Sequence, residues 1–243
     1  IDIHLGGEDL KFPHHQNELA QSEAASGKRP FVRVWIHRRH LLVDGAKMSK
    51  SKQNFYTVAD LVERAGANGP RAFRYMVASA HYGTPIDFSW AGLEAAAATL
   101  RNLTDARARL AKAAGGAAPA TTGPAADART AFGERMDDDL DTPGAMAAVH
   151  GFIHEANKAL AAGTLAPAEA AAGVALLDLA DAALGLSLVP TRTLSADEQA
   201  LVDARMAARR ARNFAEADRL RGVLAARGIL VKDTKDGQDL TFS

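Results

Sequence analysis

Residues 44–55, DGAKMSKSKQNF, place Lys47, Lys50 and Lys52 among two serines, directly after a glycine that can turn the chain. A lysine ammonium group is a compact cation with three N–H donors, and serine hydroxyls add further hydrogen bonds. This composition favours a polyphosphate ligand. A solvated surface turn of the same composition is the alternative.

A second candidate site lies in residues 12–25, FPHHQNELAQSEAA. Pro13 suits the first turn of a helix, and with that start His14 and Glu18 lie four residues apart on one helix face. An imidazole and a carboxylate so placed make half of a zinc site, although a local ion pair is the commoner use of this spacing. The chain contains no cysteine, so further ligands must be other side chains or come from outside this chain.

The strand-like segment before this helix carries His4 and the pair Gly6–Gly7. Adjacent glycines at the end of a strand permit close approach of the backbone to a ligand, as in nucleotide-binding sheets. Most such pairs are simple turns, and the position next to His14 and Glu18 is what makes this one of interest.

A third constellation is an arginine-rich segment, residues 204–221, with Phe214 at the junction of two predicted helices. Guanidinium groups bind phosphates and an exposed aromatic ring stacks on an unpaired base, so the segment favours RNA as a ligand. A solvated helix face has a similar composition. The arginines are Arg205, Arg209, Arg210, Arg212, Arg219 and Arg221.

The elements that position these residues change in character along the 243-residue chain. Residues 1–88 alternate β-rich and helical stretches, which predicts an α/β layer. Residues 89–190 are alanine-rich with helical periodicity and predict a helical bundle, with a flexible connection at residues 114–127. Residues 191–243 predict a small terminal module of two helices, capped by Ser195 and ended by Gly228, and a hairpin.

Composition limits the class of protein further. Lys and Arg total 29, as do Asp and Glu, so any contact with nucleic acid depends on a local patch. No apolar run has membrane-spanning length and no leader is evident, which predicts a cytoplasmic protein with no membrane partner. Because the first residue is Ile rather than Met, we expect a fragment that lacks an N-terminal part.

The order of motifs resembles the class I cysteinyl-tRNA synthetases. KMSKS at 47–51 follows DIHLGGEDLKFPHHQNE at 2–18, where the family pattern is DIHGGGxDLxFPHHENE, and the similarity continues through SAHYGTPIDFSW and MDDDLDTPGA into the arginine-rich end. Leu5 and Gln16 depart from that pattern, as does SKQN at 51–54. The resemblance implies part of a Rossmann-like catalytic domain, then a helical bundle and an anticodon-binding module.

For the reaction, the resemblance implies ATP-dependent ligation of L-cysteine to tRNA(Cys) through a cysteinyl-adenylate. Lys50, assisted by Lys47, would meet ATP with its Mg ion, and His4 would lie on the substrate side. His14 and Glu18 would hold zinc together with two cysteines from outside this chain.

At the other end of the chain, the resemblance implies that Arg209, Phe214, Asp218 and Asp233 read the anticodon. Two alternatives stay open. A ligase of the same superfamily joins cysteine to an amino-sugar, but that family lacks the terminal module. A non-catalytic tRNA-binding remnant is the other possibility.

Overall fold

The computed structural model describes residues 1–49, 51, 54–188, 194–234 and 237–242. The chain opens with strand β1 (Ile3–Gly7), helix α1 (Gln16–Ser26) and strand β2 (Val34–Arg38). Strands β1 and β2 pair in parallel. A parallel pair needs a crossover connection, which α1 supplies. The predicted α/β start of the chain is therefore confirmed.

A second, three-stranded sheet follows, with strand order β4-β3-β5. Asp44 and Gly45 both have positive φ, 49° and 75°, and turn the chain between β3 and β4. Two successive left-handed residues of the sequence Asp-Gly are typical of a tight hairpin turn. Thr57 forms a capping box with Asp60 at the start of α2. The elements of this part are β3 (Leu41–Val43), β4 (Ala46–Lys47), α2 (Val58–Ala65), α3 (Gly69–Ala78) and β5 (Ile86–Phe88).

The predicted helical bundle is present. Glycines in the left-handed conformation end three of its helices, at Gly115, Gly163 and Gly185. Glycine adopts this conformation at no steric cost, and a left-handed residue ends the helix so that the chain can change direction. The bundle consists of α4 (Trp90–Ala114), α5 (Pro124–Asp137), α6 (Thr142–Ala162) and α7 (Pro167–Leu184).

The prediction of a flexible connection at 114–127 is wrong for part of that segment. Helix α5 already begins at Pro124, and proline suits the first helical position because its missing N–H is not needed there. The Ala120 N–H donates to the Ala168 carbonyl at 2.9 Å, and the Ala125 N–H donates to Glu169 Oε1 at 2.7 Å. The connection is thus fastened to the start of α7.

The terminal module has the predicted form of two helices and a hairpin. It contains α8 (Ala196–Arg210), α9 (Phe214–Ala226), β6 (Ile229–Thr234) and β7 (Gly237–Phe242), and the two strands are antiparallel. The Ser195 hydroxyl caps α8 by accepting from the Glu198 N–H. Gly228 has a positive φ of 72° between α9 and β6. Both predicted helix ends are confirmed.

One apolar core joins the second sheet to the bundle. It runs from Val43 and Phe88 through Leu93 of α4 to Leu177 of α7 without a break at residue 88. A separate small cluster around Leu224 supports the terminal module. The division into residues 1–88, 89–190 and 191–243 stays a prediction. Within the described residues no helix is both long and apolar enough to cross a membrane.

Candidate functional site

The first candidate site is built on one face of strands β1 and β2. His4 of β1 pairs in register with Trp35 of β2, and Gly6 pairs with His37. Side chains alternate between the two faces of a strand, so these positions share a face. The ring of His15, from the turn before α1, enters this face and is 4% exposed. Its centroid lies 4.7 Å from that of His4 and 5.0 Å from that of Trp35.

Gly6 makes room for the buried imidazole. A Cβ atom at this position would lie 2.5 Å from His15 Cε1, a separation that non-bonded carbon atoms do not reach. Close approach to Gly6 was predicted from the paired glycines, and within this chain the group that approaches is His15. A larger residue would push the imidazole off the β1–β2 face.

Glu18 lies at the centre of what we call the Glu18 cluster, comprising His4, His14, His15 and Glu18. Glu18 Oε2 is 3.1 Å from His4 Nε2 and 4.0 Å from His15 Nε2, and Glu18 Oε1 is 3.8 Å from His14 Nε2. The predicted pair His14 and Glu18 is therefore within reach of one small ion. His4, His15 and Glu18 also each present a ligand atom, and these atoms lie within 4.8 Å of one another.

The other ring nitrogen of His15 has a partner from β2. His15 Nδ1 lies 2.9 Å from His37 Nε2, so one of these two nitrogens donates and the other accepts. Burial lowers the pKa of His15, and the neighbouring His4 and His37 lower it further. A lowered pKa favours the neutral form of His15, which is the form of imidazole that binds metals.

His15, Trp35 and His37 were not predicted as members of the site. His15 is adjacent to His14 in the sequence, and the adjacent pair was the available signal for it. Trp35 and His37 alternate along β2, and this alternation would have placed both on one face once β2 was paired with β1. Nothing in local spacing indicated that pairing.

The KMSKS segment begins in β4, where Lys47 is exposed to solvent. The Asn54 side chain closes the loop after this strand: Oδ1 accepts from the Ser49 N–H at 2.8 Å, and Nδ2 donates to the Lys47 carbonyl at 3.3 Å. The backbone of Lys47 and Ser49 is thus fastened to the Asn54 side chain, while the Lys47 side chain stays exposed. Lys50, the predicted ATP-binding residue, lies outside the described residues.

In the terminal module three arginines converge on one carboxylate, and we call Arg205, Arg209, Arg221 and Asp233 the Asp233 cluster. Arg205 is 1% exposed and its Nη2 lies 2.9 Å from Asp233 Oδ1, whereas Arg221 Nη2 is 3.3 Å from Oδ2. Arg209 also pairs with Asp233. Burial alone raises the pKa of the Asp233 carboxyl, but hydrogen bonds and charges from Arg205 and Arg209 outweigh it and hold the pKa low.

The remaining predicted anticodon residues lie on α9. Phe214 is its first residue and is 60% exposed. Asp218 is exposed one turn further on, with Oδ1 3.9 Å from Arg221 Nη1. Arg221 thus connects Asp218 to the Asp233 cluster. The exposed phenyl ring of Phe214 lies at the start of the same helix.

Three family models match the chain in sequence order. Residues 1–98 match the model for tRNA synthetases class I (C) catalytic domain, residues 131–189 match the DALR domain, and residues 191–239 match the cysteinyl-tRNA ligase anticodon binding domain. In a solved structure, a ternary complex of Agrobacterium radiobacter LeuRS, tRNA and LeuAMS, the LeuRS chain is 17% identical with a TM-score of 0.62. This likeness covers 79% of the present chain and 28% of the other, and it shows a shared fold.

Fold and motifs together define a chain of the class I aminoacyl-tRNA synthetases, with a catalytic domain followed by helical and anticodon-binding domains. Relatives named cysteine–tRNA ligase are 44% identical in Symbiobacterium thermophilum, 40% in Azotobacter vinelandii and 39% in Geobacter sulfurreducens. Each alignment covers 98% of this chain but only 50 to 53% of the relative. The chain belongs to the cysteinyl-tRNA ligase family and spans about half the length of the curated relatives it matches.

Proposed function

We propose that the chain forms part of an enzyme that joins L-cysteine to tRNA(Cys) through a cysteinyl-adenylate. The observation that carries the proposal is the Glu18 cluster, because three imidazoles gather around one carboxylate at the β1–β2 face of a class I catalytic domain. Selection of cysteine against serine is the main difficulty of this reaction. A pocket that senses shape alone separates such near-isosteres by only about a hundredfold.

A zinc ion would help to select cysteine against serine. The residues of the Glu18 cluster fit such an ion, since imidazole nitrogen and carboxylate oxygen are both common zinc ligands. The family resemblance assigns His14 and Glu18 to the metal. The geometry favours His4 and His15 as additional donors or as groups that orient Glu18. When bound, zinc would supply a preference for the soft thiolate of cysteine over a hydroxyl group.

The KMSKS segment would serve the activation step. In this step the cysteine carboxylate attacks the α-phosphorus of ATP and pyrophosphate leaves, so negative charge grows on the β and γ phosphates. Lys50, with Lys47 assisting, would meet this charge together with the Mg ion that accompanies ATP. The exposed position of Lys47 and the closure of the loop by Asn54 support such a role.

The terminal module would bind the anticodon of tRNA(Cys). Phe214 is exposed for stacking on a base, the exposed Asp218 carboxylate can accept from base amino groups, and Arg209 offers donors to a base edge or phosphate. Asp233 would act differently from the other three, because its oxygens already hold arginines. A cytoplasmic location, where tRNA is charged for translation, is part of the same proposal.

RNA binding can be tested on the 243-residue chain itself. The wild-type chain should bind an isolated anticodon stem-loop of tRNA(Cys), and Phe214→Ala should weaken binding by roughly 1 to 3 kcal/mol through loss of one stacked base. Leu230→Ala, at an apolar side chain exposed on β6, is a matched control that removes a large exposed side chain elsewhere in the module. Equal binding by the wild type and Phe214→Ala would exclude the stacking role.

Metal binding and chemistry need separate measurements. Chelator competition should show weak zinc binding by the chain, and His14→Ala or Glu18→Ala should abolish it. For activation, the chain can be joined to the remaining, N-terminal part of the Symbiobacterium thermophilum relative. In this chimera Lys50→Ala should raise the activation free energy of adenylate formation by about 3 kcal/mol, with little change in cysteine affinity. An active chimera with an unchanged rate would contradict the role of Lys50, and an inactive chimera that still binds RNA would favour a tRNA-binding remnant.

A further inference from the structure

A cleft that none of the roles above uses lies between helices α2, α3 and α4. We call it the Trp90 cleft, and its volume is about 250 Å³. Its walls are the end of α2, the start of α3 and the first half of α4. These helices follow the KMSKS segment in the chain. The polar side chains that line it are Arg64, Asn68, Trp90, Glu94 and Arg101.

The charge of the Trp90 cleft is positive. Two guanidinium groups line it, against the single carboxylate of Glu94. Neither Arg101 nor Glu94 forms an ion pair with any described residue, so the two arginines are not neutralised by the cleft's own acid. A guanidinium group carries five N–H donors and no acceptor, which makes it suited to oxygen-rich anions.

Trp90 gives the cleft a fixed wall. Its ring packs edge-on against Phe88 and Tyr56, with centroids 5.2 and 5.1 Å away, and the Arg64 guanidinium lies 3.8 Å above its centroid. This stacking holds the Arg64 side chain in place at the wall of the cleft. Trp90 Nε1 is buried and finds no hydrogen-bond acceptor among the residues that the structure describes. Buried donors without a partner are rare in folded proteins.

These groups select a class of ligand. Arg64 and Arg101 are both cationic donors, so the ligand must offer several acceptor oxygens and negative charge. A phosphate group meets this requirement, and arginine recognises it through paired N–H donors. The geometry points to the Trp90 cleft as a binding site for a phosphate group of an RNA backbone.

The choice of RNA rests on the proposed function. A tRNA that contacts the terminal module and reaches the KMSKS segment must pass along the helices between them. Helix α4 has 25 residues and so extends about 37 Å. The Trp90 cleft lies at the start of this helix, far along the chain from Phe214 and the anticodon residues. It would hold the body of the tRNA rather than its anticodon.

The chain itself supplies a local probe, because Trp35 and Trp90 are its only tryptophans. A nitrogen-15-labelled sample therefore gives two indole N–H resonances, and Trp35→Phe assigns them. The ligands are a tRNA(Cys) transcript without its anticodon arm and, separately, inorganic phosphate. We expect the transcript to shift the Trp90 resonance.

Substitutions then connect the shift to affinity. Arg64→Gln with Arg101→Gln should lower the slope of log Kd against log salt for this transcript by about 2, one for each lost phosphate contact. Arg101→Gln alone should lower it by about 1 and leaves the stack on Trp90 intact. Arg129→Gln, at an exposed arginine of α5, is the matched control and should change nothing.

An unshifted Trp90 resonance with the transcript, or unchanged slopes in both variants, would overturn the inference. A resonance that shifts with inorganic phosphate but not with the transcript would show a site for small anions rather than RNA. Failure of the proposed function looks different. In that case the anticodon stem-loop does not bind and Phe214→Ala has no effect, whatever the Trp90 resonance shows.

Discussion

Replacing Asp233 should damage the terminal module far more than replacing its buried partner Arg205. Asp233→Ala leaves the Arg205 guanidinium, which is 1% exposed, without a counter-charge. Arg205→Met instead removes the buried cation and fills its place with an apolar side chain of similar length. Asp233 then keeps Arg209 and Arg221 as partners and is itself 26% exposed to water.

The expected magnitudes follow from this asymmetry. Leaving one member of a buried ion pair uncompensated costs about 3 to 5 kcal/mol, whereas replacing the buried charge by a packed apolar group is often close to neutral. The Gln238 side chain still accepts from Arg205 in Asp233→Ala, so we expect the lower end, about 3 kcal/mol. Arg205→Met should cost about 1 kcal/mol or less.

Hydrogen exchange is the suitable assay, because both tryptophans lie outside the terminal module. The amides of α8 and β6 report the opening free energy of this module alone, since its apolar cluster is separate from the main core. Asp178→Ala is the matched control. It breaks the exposed Arg107–Asp178 pair, 2.6 Å long, which contributes at most about 1 kcal/mol and lies in the bundle.

Equal losses of stability in Asp233→Ala and Arg205→Met would refute the reasoning, as would a larger loss in Arg205→Met. Either result would mean that Asp233 does not serve to neutralise the buried arginine. If the expected order is found, weak RNA binding by Asp233→Ala reflects an unfolded module rather than a lost contact to a base.

Three further outcomes are expected. Gly6→Ala should cost about 1 to 3 kcal/mol by driving a Cβ into the His15 ring, which thermal unfolding will measure. Ser195→Ala should destabilise the start of α8 by about 1 kcal/mol, seen as faster amide exchange there. Burial lowers the pKa of His150, whose Nε2 lies 2.7 Å from the Tyr75 hydroxyl, so stability present above pH 6.5 should fall as the pH drops below that value. Urea unfolding between pH 7.5 and 5 should show a smaller decline in His150→Gln.

Local patterns were sufficient for the elements and for part of the site. Alternating β-rich and helical stretches predicted the α/β character of residues 1–88, and helical periodicity predicted the bundle, because both signals depend on neighbours within a few residues. The same holds for His14 and Glu18, whose spacing of four residues brings them within 3.8 Å. The start of α5 was missed because Gly123–Pro124 is typical of a loop as well as of a helix start.

The rest of the site depends on contacts between distant parts of the chain. His15 meets His37 across 22 residues, and His4 meets Glu18 across 14. Such contacts follow from strand pairing, which spacing alone does not determine. The Asp233 cluster is a similar case. Composition indicated the arginines, and the family resemblance indicated Asp233, as RNA contacts, but in the fold Arg205 is buried and Asp233 pairs with three arginines. The role of Lys50 stays a prediction.

The unbroken core around α4 decides where this chain can be recombined with its relatives. Val43, Phe88 and Leu93 belong to one apolar core, so a crossover near residue 88 would place side chains of the same core in two different parents. Among the described residues, the terminal module has a small apolar cluster of its own, separate from the main core. Chimeras that exchange the terminal module should therefore be joined between Leu188, which belongs to the main core, and Leu194, which packs against the core of the module.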